Sequence, residues 1–75
     1  MRLKFNSHRV LAEIKSTGNR QCSLTYLADT LDVSIITIRR RTAELEQRGM
    51  ITRTRPYAGV PYTYRITEMG ERQLG

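Results

Sequence analysis

Apolar residues in this chain fall first at helical and then at strand spacing, and the change of period divides it. Val10, Leu11 and Ile14 recur at i, i+1 and i+4, which predicts a first helix from a cap at Asn6 or Ser7 to about Lys15 or Ser16, after a short extended start at Arg2–Phe5. Phe5 is placed to pack back across that helix start. Gly18 and Asn19 end the helix, since glycine tolerates the left-handed conformation just past a helix. Gln21–Cys22 has room only for a bridge-like strand. Ser23 then caps a second helix, with Leu24, Leu27, Ala28 and Leu31 turned inward and the small Ala28 allowing a close helix approach. Asp32 and Val33 make a tight turn, and Ser34 caps a third helix that runs to Arg48 and stops at Gly49. Beyond it the period becomes two. The segments 51–55 and 62–66 are short strands rich in β-branched and aromatic residues, joined by a turn bounded by Pro56 and Pro61 with Gly59 between. Thr67 caps a last helical turn or two, with Met69 and Leu74 as apolar contacts.

This order predicts an α+β fold, mostly α: a winged helix-turn-helix, with a three-helix core, a C-terminal β-hairpin wing and a short terminal helix. Seventy-five residues, 1–75, make a single small domain with a thin core.

The third helix has a closed and an open side. With Ile38 facing the core and about 100° per residue, Thr42 and Leu45 fall beside it, whereas Ile36, Arg39, Arg40, Ala43 and Gln47 point away. Arg41, Glu44 and Arg48 lie on one flank and Ile35 on the other; Arg41 is still counted among the DNA-binding candidates, as the third of the consecutive arginines Arg39, Arg40 and Arg41. Arg40 and Glu44, four apart, can form a surface ion pair. An isoleucine at position 36 forgoes a burial gain of roughly 1.5–3 kcal/mol. It can meet a thymine methyl while Arg39 or Arg40 forks onto guanine; it can equally sit in a protein interface or serve no role. Ser34 and Thr37 can donate to phosphate at the helix start or simply cap the helix.

In the hairpin, Ile51, Tyr62, Tyr64 and Ile66 face inward by alternation, with Thr63 and Arg65 outside. Arg53 and Arg55 share the inward parity, although arginine is seldom buried. The strand is expected to leave the core after Thr52, so that Arg53 and Arg55 project for backbone or minor-groove contact, while Tyr57 at the tip either reaches a phosphate or sugar or covers the hairpin. An ordinary exposed hairpin with charged edges is the competing reading.

Charge fits a polyanionic partner and, taken alone, fits a solubilising basic surface equally well. There are 13 Lys+Arg against 7 Asp+Glu, a net charge of +6, and 11 of the 13 are arginine, Lys4 and Lys15 being the lysines. Arginine suits phosphates and guanine edges better than lysine does. Arg2, Arg9, Lys15 and Arg20 are scattered and read as solvated. Cys22 is the one cysteine and His8 the one histidine. They offer no disulfide, metal site or catalytic triad, so no enzyme, cofactor or metal is expected. Cys22 is expected to fill the core and His8 the surface. No membrane-length apolar run and no signal-peptide core are seen, which gives a cytoplasmic, nucleoid-associated expectation.

The stretch LADTLDVSIITIRRRTAELEQRGMI (Leu27–Ile51) resembles the helix-turn-helix core of prokaryotic winged-helix regulators of the MarR and ArsR types. The match is carried by Leu27-Ala28, Leu31, Val33-Ser34, Thr37-Ile38, Arg40, Leu45 and Gly49-Met50-Ile51, then by Tyr64–Thr67, Gly70 and Leu74. That resemblance implies a transcription regulator, prokaryotic or of a phage or plasmid. Its third helix (34–48) would enter the major groove through Ile35, Ile36, Thr37, Arg39 and Arg40, and its wing (51–66) would lie on adjacent backbone. Asp32 stands where glycine is common, so it must tolerate a positive φ. Thr42 stands where an apolar residue is usual, so its hydroxyl is expected to bond back to the Ile38 carbonyl. The long dimerisation helices of the MarR type have no counterpart in the sequence, which leaves open a small-patch homodimer, a monomer, a cooperative array on double-stranded DNA, or a separate partner. No small-molecule effector cavity is evident. Two rival functions remain: a winged-helix protein-interaction module, and an architectural or excision-type DNA-binding factor.

Overall fold

A computed structural model describes residues 5–17 and 22–75, with the side chains of Phe5 and Asn6 excluded. The expectations for the extended start, the Phe5 packing, Gly18-Asn19, Gln21, Arg2 and Arg20 lie outside the described residues. The elements run α1 (Phe5–Thr17), α2 (Leu24–Leu31), α3 (Ile35–Gln47), β1 (Ile51–Thr54), β2 (Thr63–Ile66) and α4 (Glu68–Leu74). The two strands pair antiparallel, with Ile51 opposite Ile66 and Arg53 opposite Tyr64.

The core forms where the three helices and the base of the hairpin meet. Val10, Leu11 and Ile14 of α1 pack with Leu27, Ile38, Leu45, Met50, Ile51 and Tyr64. Cys22 is fully buried among them, and burial pushes its thiol up from its ordinary value, so it stays a protonated, space-filling group. The Cys22 carbonyl accepts the Tyr64 N–H at 3.0 Å, a single bond that ties β2 to the segment between α1 and α2 without making Cys22 a strand residue.

The helix-turn-helix is closed by two caps. Ser23 and Ser34 accept the N–H of Tyr26 and Thr37 at 3.1 and 3.2 Å, each satisfying a donor that the helix itself leaves open. Between them Asp32 sits at φ 55°, ψ 49°. Val33 donates to the Ala28 carbonyl and Asp32 to that of Asp29, so orphan carbonyls of α2 are capped by a left-handed residue that is not glycine. A side chain there costs about 1–2 kcal/mol and a carboxylate faces the negative end of the helix. Asp32→Gly is therefore expected to raise stability by about 0.5–1 kcal/mol after glycine's own entropic cost. A higher urea midpoint at unchanged m-value would show this, and a lower one would overturn it.

α3 ends one residue before the expected Arg48, which serves as its cap. Gly49 at φ 75° lets Met50 reach back to the Leu45 carbonyl (3.0 Å). Thr67 caps α4 by accepting from Gly70 N–H, and its hydroxyl donates to the Gly49 carbonyl at 2.6 Å. Leu74 packs against the core as expected, but Met69 is 53 % exposed, because the face of α4 that meets the core is taken by Gly70 and Leu74.

Two further expectations need correction. α1 begins at Phe5, so Asn6 and Ser7 lie inside it rather than at its cap. Ser7 is fully buried, and its hydroxyl donates to Glu44 of α3 at 2.8 Å, a tertiary bond that replaces the local one. Glu44, committed to Ser7 and facing Arg41 at 4.0 Å, does not pair with Arg40.

Candidate nucleic-acid interface

The buried stripe of α3 is Ile38, Thr42 and Leu45, at 0, 2 and 0 % exposure. Thr42 is tolerated because its hydroxyl donates to the carbonyls of Ile38 (3.0 Å) and Arg39 (3.1 Å). Tyr64 lies buried nearby, and burial pushes its phenol up, opposed by hydrogen bonding to Thr42.

Opposite the stripe, the helix is open. Ile36 is 62 % exposed and Ile35 42 %, and Arg39, Arg40, Ala43 and Gln47 are exposed with them. Among the described residues no hydrogen bond or ion pair engages the Arg40 guanidinium. Its donors therefore face solvent, four residues along the helix from Ile36. The run of three arginines divides here. Arg41, with a side chain 23 % exposed and its Nε buried without a partner, stands on the flank of α3 beside Glu44, which meets Ser7 of α1. The Ser34 hydroxyl is exposed at the helix start and shares a 2.9 Å bond with that of Thr37, which is half-buried. Both hydroxyls retain unused hydrogen-bonding capacity, Ser34 beyond its capping role and Thr37 beyond its bond to Ser34.

The wing leaves the core as expected, every residue from Thr52 to Gly59 being exposed. Arg53 reaches Glu46 of α3, Nε to Oε2 3.3 Å, so the middle of β1 is tied to the helix. Arg53 and Arg55 both place their guanidinium carbon 4.6 Å from the centre of the Tyr62 ring. Both arginines are exposed, and each also lies over the Tyr62 ring, so the face they share with Ile51 is solvent-facing at their positions. Tyr62 and Glu46 were not among the sequence candidates. The parity of Arg53, Arg55 and Tyr62 on one hairpin face was the available signal. The turn is exposed as well, with Tyr57 67 % exposed at its tip.

Between α3 and the wing lies an open cleft of about 370 Å³ bordered by Arg39, Ala43, Glu46, Arg53 and Tyr62. A second groove of about 380 Å³ runs beside the start of α3, with Ile35, Arg39, Arg55 and Tyr62 in its walls. Arg39 borders both. Among the described residues there is no group of His, Cys, Asp and Glu able to hold a metal ion, and no helix long and apolar enough to cross a membrane.

The model of the MarR family matches residues 3–57, more than half of the chain. The chain belongs to the MarR family. Members of that family are transcription regulators, not enzymes. The fold of this MarR-family chain is similar to that of the MepR A103V mutant from a multidrug-resistant S. aureus clinical isolate, with a TM-score of 0.90 at 14 % identity over 96 % of this chain and 52 % of that one. It is likewise similar to S. aureus MepR in a DNA complex (TM-score 0.85, 14 % identity, 96 % and 52 % covered). A third similar structure is the PcaV transcriptional regulator of Streptomyces coelicolor with its natural ligand (TM-score 0.84, 19 % identity, 96 % and 50 %). The chain thus spans about half the length of these solved structures. No curated protein matches it.

Proposed function

We propose that this MarR-family chain is a sequence-specific, double-stranded-DNA-binding transcription regulator. In this reading α3 enters the major groove, and the wing rests on the adjacent backbone or minor groove. The observation that carries it is the open face of α3. An isoleucine 62 % exposed stands four residues from an arginine with no protein partner among the described residues, on the side opposite a fully buried stripe. A fork of guanidinium donors and a methyl-bearing side chain on one helix face is the chemistry that separates guanine and thymine edges from the alternatives. Ser34 and Thr37 at the helix start, Arg55 on the wing and Tyr57 at its tip would meet phosphate or sugar and fix the register. The net charge of +6 favours a polyanion, and a similar fold, that of MepR, is solved in complex with DNA.

In the cell the chain would work in the cytoplasm on nucleoid DNA, as a homodimer or a cooperative array and without a small-molecule effector. Selection of bound sequences from a random duplex pool tests the whole reading. A defined site is the expected outcome; a palindrome would mean a two-fold dimer, and evenly repeated half-sites an array. With about 5–8 phosphates neutralised, log affinity should fall against log salt at about 0.9 per phosphate. Weak, sequence-blind binding that vanishes by physiological salt would favour a protein-interaction module, and a sharp bend without sequence preference an architectural factor.

A further inference from the structure

The two wing arginines share one aromatic ring but differ in what remains of their hydrogen-bonding capacity. A guanidinium carries its donors in its own plane, so stacking on Tyr62 occupies a face and leaves the donors free. Arg55 is in that state, with no carboxylate partner among the described residues. Arg53 is not: its Nε is committed to Glu46 while its carbon lies over the same ring. It also sits mid-strand, opposite the buried Tyr64, whose own N–H is fixed to the Cys22 carbonyl. Its place is at the base of the wing, not at the tip.

We infer that Arg53 is a positioning residue, a strut that joins the wing to α3 through Glu46 and Tyr62, and that Arg55 is the wing arginine that meets phosphate. Tyr62 serves both by presenting one ring to the two cations. The inference rests on the DNA-binding reading for its consequence, because the strut sets the angle between the reading helix and the wing.

The test is the salt dependence of duplex affinity, combined with amide exchange in the free protein. Arg55→Ala should make the slope of log affinity against log salt shallower by about 0.9, one phosphate's worth. Arg53→Ala should weaken binding by roughly two- to fivefold, the scale of an exposed ion pair, on a line parallel to the unaltered protein. Arg53→Glu should lose affinity, and adding Glu46→Arg to it should recover most of the loss, because the swapped pair rebuilds the strut. In the absence of DNA, Glu46→Gln should speed amide exchange in β1 and β2 but not in α1. A slope shallower by about 0.9 in Arg53→Ala would overturn the inference, as would failure of the swap or unchanged exchange in the wing. If the unaltered protein binds no duplex at all, the functional reading falls, and the exchange measurement alone decides whether the strut exists.

Discussion

Arg40→Ala lowers affinity for the selected DNA site by about 1–3 kcal/mol while leaving affinity for random duplex nearly unchanged. The asymmetry follows from where Arg40 stands. It is on the open face of α3, and no hydrogen bond or ion pair engages it among the described residues; Glu44, one turn along the helix, is already committed to Ser7 and faces Arg41. Its removal should therefore cost the fold no more than about 0.5 kcal/mol, the usual range for surface changes. Any large loss of binding then belongs to the interface. Titration of both duplexes at one salt concentration separates the outcomes. An equal loss on both would make Arg40 a phosphate contact, and no loss on either would remove it from the interface.

Gly70→Ala lowers stability by about 2–3 kcal/mol, although helix propensity alone favours alanine over glycine by about 1 kcal/mol. Gly70 is buried in α4, and a Cβ there would run into the Met50 carbonyl and the Ile66 side chain. That carbonyl accepts the Thr67 N–H at 2.9 Å, so it cannot retreat without loosening the cap that starts α4. For a domain of this size the fall in melting temperature should be roughly 8–20 °C. Unchanged or increased stability would show that α4 moves aside freely and that its contact with the loop after α3 carries little of the fold.

What could be read from the sequence was set by how local the deciding interaction is. The buried stripe of α3 follows from Ile38, Thr42 and Leu45 at helical spacing, and the Thr42 back-bond reaches a carbonyl only four residues away. The left-handed turn at Asp32 is legible through the family resemblance, since aspartate stands there where glycine is common, and φ is 55°. Ser7 was misread, since its partner Glu44 is 37 residues distant and nothing near position 7 reveals that the hydroxyl is spoken for. Arg41, a candidate by its place in the arginine run, stands on the flank that 100° per residue gives it, beside Glu44. In the wing, alternation gives the face and the exclusion of arginine from cores gives the exposed strand, but the Glu46 carboxylate that holds Arg53 lies on another element and leaves no local signal.

α3 and β1 are separated by only three residues, with Gly49 in its left-handed turn and Met50 bonded both to the Leu45 carbonyl behind it and to the Thr67 N–H ahead. A joint this short and this fully bonded works like the rivet of a caliper. The gap between the jaws is set when the chain folds, so the entropy lost in arranging two separate contact elements is lost before any ligand arrives, and association keeps more of its contact energy.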